Sequence, residues 1–360
     1  MRGIRRTTPV ETLIVAVPET AGSALYGMLD VLMAAGSLWQ TLARAGTQAQ
    51  RFRVRIVSAQ ARPFRCGNGI PVHPDCAVRD DPSAQVIVLP ELWLGPDEDL
   101  GGRYPALVAW IRRRYEAGAY IYSACSGSLL LAETGLLDGR EATSHWGYQD
   151  LFRRRYPQIR FRPEPNLCFA EPSGRIVTAG GTTSWHDLAL HIIGRHASPG
   201  EALRIAKVYL LKWHDEGQLP YTPLVRIQPH ADAAVSSCEK WLAQHFRETA
   251  AVARVVRHAQ VPERTLKRRF KAATGLALID YVQNLRIEEA KRLLESTARA
   301  AEEISADVGY EDASFFRRLF RRRTGLSPSQ YRRSFRSTPG SNRSPAHADR
   351  AARSAGIRSS

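Results

Sequence analysis

Tyr122-Ser123-Ala124-Cys125-Ser126-Gly127-Ser128 decides the fold of the first two thirds of the chain. The run Ala119–Tyr122 before it is short, apolar and aromatic, which reads as a buried strand. Ser128–Thr134 after it has a helical pattern. A lone cysteine between strand and helix is the layout of a nucleophile elbow, where a sharp turn presents the side chain and the helix N-terminus can stabilise a thiolate. Further on, Ala142-Thr143-Ser144-His145-Trp146 offers an imidazole, and Cys with His is a minimal pair for nucleophilic chemistry.

Outward from this stretch, Leu13–Val17, Val54–Val57 and Val86–Leu89 read as further buried strands. Ser23–Ala35, Tyr104–Ala117 and Trp185–Arg195 read as helices. Alternation of this kind predicts a mostly parallel sheet covered on both faces. Pro63–Pro74, with Gly67-Asn68-Gly69 inside it, predicts a turn or hairpin. Glu201–His214 predicts a helix, broken by Gly217-Gln218-Leu219-Pro220 and Thr222-Pro223. From Asp232 to Phe335 no strand pattern occurs. A linker is therefore expected within 216–231, and residues 336–360, rich in Ser, Arg, Ala and Pro, are expected to be a disordered basic tail.

The chain has 360 residues, 44% hydrophobic and 24% charged, which suits two or three folded domains and excludes global disorder. No run approaches the ~18 apolar residues of a membrane helix. Arg2, Arg5 and Arg6 resemble the start of a signal peptide. Val10–Val17, however, is short, interrupted by Glu11 and Thr12, and ends at Pro18 without a cleavage site, so a strand is expected there. Five scattered cysteines without a C-x-x-C pair argue against a disulfide framework and a zinc site. A cytoplasmic protein without metal or cofactor is the expectation.

The net charge of +16 is unevenly spread. Residues 1–229 hold 26 Lys/Arg against 21 Asp/Glu, residues 230–335 hold 20 against 13, and residues 336–360 hold five against one. The positive balance concentrated after residue 229 points to a polyanion. Two stretches there resemble one another. The first runs from Val252 through Pro262-Glu263-Arg264-Thr265-Leu266-Lys267-Arg268-Arg269-Phe270-Lys271 to Thr274-Gly275-Leu276. The second runs from Glu302 through Asp312-Ala313-Ser314-Phe315-Phe316-Arg317-Arg318-Leu319-Phe320-Arg321 to Thr324-Gly325-Leu326. Each reads as a short helix, a tight turn and a basic helix, the helix-turn-helix arrangement. Leu266/Phe270 and Phe316/Phe320 are i,i+4 core pairs. Leu278–Glu295 between the motifs reads as one helix about 27 Å long, a rod able to hold two recognition helices near the ~34 Å repeat of successive major grooves.

Residues 232–335 resemble the AraC/XylS-type DNA-binding domain, with Gly309-Tyr310 and Gly325-Leu326-Ser327-Pro328-Ser329-Gln330-Tyr331-Arg332 as its signature. The resemblance implies DNA contacts from Arg264, Lys267 and Arg268 in the first basic helix and from Ser314, Arg317 and Arg318 in the second. Arg321, Arg322 and Arg323 read as phosphate-contacting or solvated. Residues 10–215 resemble the DJ-1/PfpI, or class I glutamine-amidotransferase-like, superfamily. The resemblance rests on Ala124-Cys125-Ser126-Gly127, the stretch Leu130–Arg140, Thr143-Ser144-His145-Trp146 and Thr178-Ala179-Gly180-Gly181. The implied fold is α/β, a parallel-sheet sandwich for ligand sensing, followed by an all-α double helix-turn-helix domain. That layout resembles the GlxA-type transcriptional regulators.

Two departures bear on chemistry. Hydrolytic members often carry His directly after the nucleophile, where this chain has Ser126. Many place an acid after the first strand, where this chain has Ala24, with Glu19 before it and Asp30 a turn later. No catalysis is therefore expected, and Cys125 and His145 are vestigial candidates. The expected ligand pocket comprises Cys125, Ser126, Gly127, His145, Trp146, Trp185 and Asp187. Trp faces beside an acid suit a cationic nitrogen compound, and the family resemblance implies effectors such as amino acids or quaternary amines. Trp185 reads equally as core, and His145 as a structural histidine.

The expected function is a regulator, an activator, that binds double-stranded promoter DNA as a homodimer, meets RNA polymerase and answers a small nitrogen-containing effector. The DNA-binding domain alone is compatible with activation or repression. Two rival readings are a DNA-tethered cysteine amidohydrolase acting on its own inducer, and a scaffold or redox sensor.

Overall fold

The computed structural model describes residues 8–46, 49–98, 100–225 and 230–336. It divides into two compact units, Met1–Thr222 and Pro223–Ser360. The division falls inside the stretch 216–231, of which 226–229 lie outside the described residues, as does the tail from 337 onward.

In the first unit the chain alternates as expected. In order come β1 (Val10–Val15), α1 (Gly22–Ala34), β2 (Phe52–Ser58), β3 (Cys76–Ala77), β4 (Val86–Leu89) and α2 (Pro105–Glu116). They are followed by β5 (Tyr120–Ala124), α3 (Gly127–Glu133), β6 (Leu167–Phe169), β7 (Ile176–Ala179), α4 (Trp185–His196) and α5 (Pro199–Tyr209). The strands form a seven-stranded sheet in the order β6-β7-β5-β4-β1-β2-β3. All neighbours run parallel except β6 against β7.

Successive residues of β1 and its extension point to opposite faces. Leu13, Val15 and Val17 join the core under α2 and α3, with Trp110 and Leu129. Ile14 and Ala16 join the core under α1 and α4, with Leu25 and Leu188. Both faces are covered, so the strand is a continuous apolar run rather than an alternating one. Pro63–Pro74 contains the expected hairpin: Phe64–Arg65 pairs antiparallel with Pro71–Val72, and Asn68 and Gly69 turn at φ 60° and 72°.

One helix departs from expectation. The helix expected over Glu201–His214 starts at Pro199, capped by Ser198, whose hydroxyl accepts from the Glu201 amide at 3.1 Å. It stops at Tyr209. Leu210 takes a left-handed φ of 56°, Leu211 N closes on Ala206 O at 2.9 Å, and the chain turns so that His214 meets Asp187.

The second unit is all helix among its described residues: α6 (Ala233–His245), α7 (Ala251–His258), α8 (Glu263–Thr274), α9 (Leu278–Ser296), α10 (Ala301–Asp307), α11 (Ala313–Thr324) and α12 (Pro328–Phe335). It holds two small cores. Val235, Leu242, Val255, Leu266 and Phe270 build the first, and Ile304, Val308, Phe316, Phe320 and Tyr331 the second. The long α9 serves both, giving Leu278 and Val282 to one and Ile287 and Leu294 to the other. The duplication extends to the helix ends. Gly275 and Gly325 close α8 and α11 at φ 75° and 76°, and the Thr274 and Thr324 hydroxyls donate to the Phe270 and Phe320 carbonyls at 2.7 and 2.9 Å. Among the described residues no helix is long and apolar enough to cross a membrane.

Candidate functional site

The elbow forms where β5 ends. Cys125 has φ 53°, a left-handed conformation that costs a non-glycine residue roughly 1–2 kcal/mol. It is held there from several sides. Its amide donates to Ala179 O at 2.9 Å, and its carbonyl accepts from the Ser128 and Ser144 hydroxyls, each at 2.8 Å. Ser126 and Gly127 serve the turn. The Ser126 hydroxyl accepts from Leu92 N at 2.8 Å and donates to Leu92 O at 2.5 Å. A Cβ on Gly127 would come within 2.3 Å of Leu89 O and 2.5 Å of Pro90 O, so only glycine allows the loop after β4 to pass.

That loop brings Glu91, which sequence reading missed. Position 24 is a buried alanine, Asp30 is exposed, and Glu19 accepts from Tyr104 Oη at 2.5 Å. An acid nevertheless stands beside the cysteine: the Cys125 thiol approaches Glu91 Oε1 at 3.6 Å, and Thr182 Oγ1 donates to the same oxygen at 3.0 Å. The expectation that the elbow lacks an acidic partner is corrected on this point. Cys125 is 2% exposed and Glu91 8%. Burial, then the Glu91 charge, drives the thiol pKa far above the ordinary cysteine range. Burial also raises Glu91, against the hydrogen bonds from Thr182 and Cys125.

His145 follows the short strand Glu141–Ala142 and caps a turn, its Nδ1 accepting from Gly147 N at 3.0 Å. Its ring lies against Trp146 at 4.7 Å. Both line a cavity of about 210 Å3 with Asn166, Thr182, Gln218 and Tyr221. An adjoining cleft of about 230 Å3 holds Glu91, Cys125 and Tyr148, and shares His145 and Thr182 with the cavity. A third, of about 430 Å3, shares Asn166 and His214 and includes Asp187 and Trp213.

The structure thus brings Cys125 and His145 to one cleft and Trp146 beside them. Asp187 is 1% exposed and its carboxylate is occupied. It accepts from Asn166 Nδ2 at 2.7 Å and from His214 N at 3.0 Å, and pairs with His214 Nδ1 at 2.7 Å. That bond raises the His214 pKa, partly opposed by burial. Trp185 does not line these clefts; it packs on α1, where a Cβ on Gly27 would come within 2.5 Å of the indole, and against His186 at 3.8 Å. Asn166, His214, Gln218 and Tyr221 were not foreseen. Gln218 sits in a run of helix breakers that reads as linker, so nothing local marked it.

In the second unit, Arg264, Lys267 and Arg268 on α8 and Ser314, Arg317 and Arg318 on α11 are all exposed, while Leu266, Phe270, Phe316 and Phe320 are 0% exposed. Each helix therefore presents its cations outward from a fixed apolar seam. Lys267 pairs with Glu263 at 2.5 Å and Arg317 with Glu302. Two arginines are structural: Arg269 makes a two-pronged bond to Asp232 at 2.7 and 2.6 Å, and Arg323 bonds Asp280 and Gln283 of α9. For Arg323 this differs from the expected phosphate or solvent role.

Comparison with known proteins places both units in one class. The DJ-1/PfpI family model matches residues 32–195 and a helix-turn-helix domain model matches residues 255–334. The HTH-type transcriptional regulator CdhR of Pseudomonas aeruginosa is 30% identical over 290 residues, covering 79% of this chain and 82% of that one. The HTH-type transcriptional regulator GlxA of Rhizobium meliloti is 27% identical over 225 residues, 62% of this chain and 68% of that one. The HTH-type transcriptional activator RhaR of Salmonella heidelberg is 40% identical over 73 residues, 20% of this chain and 26% of that one. The chain belongs to the family of HTH-type transcriptional regulators that join a DJ-1/PfpI domain to an AraC-like helix-turn-helix domain.

Proposed function

We propose that the protein is a GlxA-type activator whose DJ-1/PfpI domain binds, without converting, a small nitrogen-containing metabolite. Its second unit binds promoter DNA as part of a homodimer and contacts RNA polymerase. The observation that carries the sensor reading is the state of Cys125. Its thiol is buried against a carboxylate, and both influences oppose the thiolate that acyl transfer requires. His145 Nδ1 already accepts a main-chain hydrogen bond, so that nitrogen does not serve as a base for the thiol. The activator reading draws support from the relative named an activator, which is 40% identical over 73 residues.

A second reading is favoured by one observation, the left-handed Cys125, which is the strained geometry of an acting nucleophile. Under it the domain is a DNA-tethered amidohydrolase. A thermal-shift screen of the full chain against amino acids, betaines, polyamines and small amides separates the two. The sensor reading expects a saturable rise in melting temperature with one compound class and no consumption of it. Consumption that disappears in Cys125→Ser establishes the enzyme instead. In a reporter strain, the same compound should raise transcription from a promoter that the protein occupies; a fall would assign repression.

A further inference from the structure

The two residues after Pro223 are not a plain connector. Leu224 is held by its main chain to two side chains of α9. Its amide donates to Glu288 Oε1 at 2.7 Å, and its carbonyl accepts from Asn284 Nδ2 at 3.0 Å. Asn284 and Glu288 are four residues apart, neighbours on one helix face. Asn284 is 4% exposed, so the Leu224 carbonyl supplies an acceptor to a buried amide, a group that is costly to leave unpaired. Glu288 Oε1 also accepts from Lys291 Nζ at 3.0 Å, and Lys291 is 7% exposed. The clip on Leu224 therefore shares its carboxylate with a buried ammonium.

The side chains of 224 and 225 go to different cores. Leu224 packs against the core of the second motif, and Val225 against the core of the first. They do so where α9 itself changes cores: Val282 belongs to the first, Ile287 to the second, and Asn284 lies between them. Each recognition helix is fixed to its own core, α8 by Leu266 and Phe270 and α11 by Phe316 and Phe320. The placement of α8 relative to α11 therefore depends on what joins the two cores, which is α9 and whatever packs across its middle. Upstream, the Thr222 hydroxyl donates to Gln218 O at 2.9 Å. Only Pro223, whose ring fixes φ, separates that bonded residue from Leu224.

Resting on the DNA-binding reading above, we infer that Leu224 and Val225 are positioning residues for DNA recognition: clipped across the middle of α9 and packed on both cores, they set the placement of α8 relative to α11. They act through the cores and need no contact with DNA. With this wedge loosened, each helix keeps its own shape and reads its own segment of the site. What is lost is the fixed distance and angle at which the second helix is presented once the first is seated. That term multiplies affinity only when both segments are engaged together.

Duplexes selected from a random pool by the wild-type full chain supply the probe, and scrambling each segment of the selected site in turn supplies two half-sites. Two variants loosen the wedge independently. Leu224→Ala combined with Val225→Ala removes the apolar contacts and keeps the main-chain clip, whereas Asn284→Leu removes half of the clip and keeps the contacts. Melting curves confirm folding, and either variant alone decides. Each should bind the full site at least tenfold more weakly than the wild type, yet bind both half-sites within twofold of it. Inserting one base pair between the segments turns one against the other by about 35°; it should weaken the wild type at least tenfold and the variants less than threefold. A purely structural role would weaken full and half-sites by the same factor, and that result overturns the inference. Unchanged full-site affinity in both variants also overturns it, as does a selected site in which only one segment matters; all three leave DNA binding standing. Failure of the wild type to enrich any duplex overturns both.

Discussion

Glu91 Oε1 lies 3.6 Å from the sulfur of Cys125, both groups being almost wholly buried. The pair comes from the ends of two adjacent parallel strands, β4 and β5, and faces a cleft that also holds His145 and Tyr148. An acid at this distance opposes ionisation of the thiol, so the elbow keeps the backbone of a nucleophile while its environment keeps the sulfur protonated.

Glu91→Gln removes the charge and leaves the burial. Alkylation of Cys125 by iodoacetamide, followed by peptide mass spectrometry across pH, should therefore shift to lower pH in the variant. Burial is the larger cause in the wild type, so the variant thiol should still ionise above the ordinary ~8.5 of cysteine. An unchanged pH profile would show that Glu91 does not act on the thiol.

Arg268 is exposed on α8 one turn from no acid of its own helix, beside the buried pair Leu266 and Phe270. Arg268→Ala should weaken binding to a specific site by roughly 1–3 kcal/mol if the guanidinium reads a base. Equal loss on specific and random duplexes, with the salt slope reduced by about one, would make it a phosphate contact.

The layers of the first unit were legible because Leu13–Val17 and Val86–Leu89 are short apolar runs, as strands covered on both faces must be. The two helix-turn-helix motifs were legible because Leu266/Phe270 and Phe316/Phe320 repeat one seam. The pocket was less so. Glu91 reaches Cys125 through a sheet register, and Asp187 captures His214 across the unit; neither contact leaves a local pattern. The helix expected to run to His214 carried no glycine or proline to mark its true end at Tyr209. What stops it is the left-handed Leu210 and the long-range pull of Asp187. Trp185 has the composition of a ligand wall, but Gly27 leaves space for its ring against α1.

A histidine cluster packed on β5 predicts acid sensitivity. His196 Nε2 hydrogen-bonds Tyr122 Oη at 2.9 Å, and the ring packs edge-on to Tyr120 at 4.7 Å. Burial first, then Arg195 and His191, depresses its pKa to about 4. His191 is lowered too, by burial and then by Arg195. An unfolded histidine titrates near ~6.5, so between that pH and about 4 the unfolded chain binds protons that the folded chain refuses. Stability must fall as pH falls through this window, by roughly 2–3 kcal/mol for His196 at its lower end. His214, whose pKa is raised, has the opposite sign: its contribution is complete below ~6.5 and lost as pH rises through the folded value. Melting temperatures of His196→Phe at pH 7 and pH 5 should differ less than those of the wild type; an equal difference would contradict the assignment.

Arg286, near the middle of α9, ties the end of α6 to the turn of the second helix-turn-helix motif. Its Nε donates to Phe246 O at 2.7 Å and its Nη2 to Glu248 O at 3.0 Å, both just past the end of α6. Its Nη1 donates to Gly309 O at 2.8 Å, in the turn of the second motif, and the guanidinium lies 5.0 Å from the Tyr310 ring centre. Gly309 has φ 92°, and a Cβ there would come within 2.4 Å of Arg247 O, so the turn is built around this approach. One planar fork satisfies three carbonyls that α9 cannot reach with its own main chain. Arg286→Ala should cost on the order of 3 kcal/mol, since hydrogen bonds to a charged donor are worth ~1.5–3 kcal/mol each and do not sum fully. Arg286→Lys should recover only part, because an ammonium cannot span all three acceptors. Urea unfolding of the full chain, followed through Trp241 in α6, reads the loss. Affinity for random duplex DNA should fall with it, although Arg286 is not among the exposed cations of α8 and α11. Unchanged stability in Arg286→Ala would mean that the end of α6 and the second motif's turn are held by the apolar cores alone.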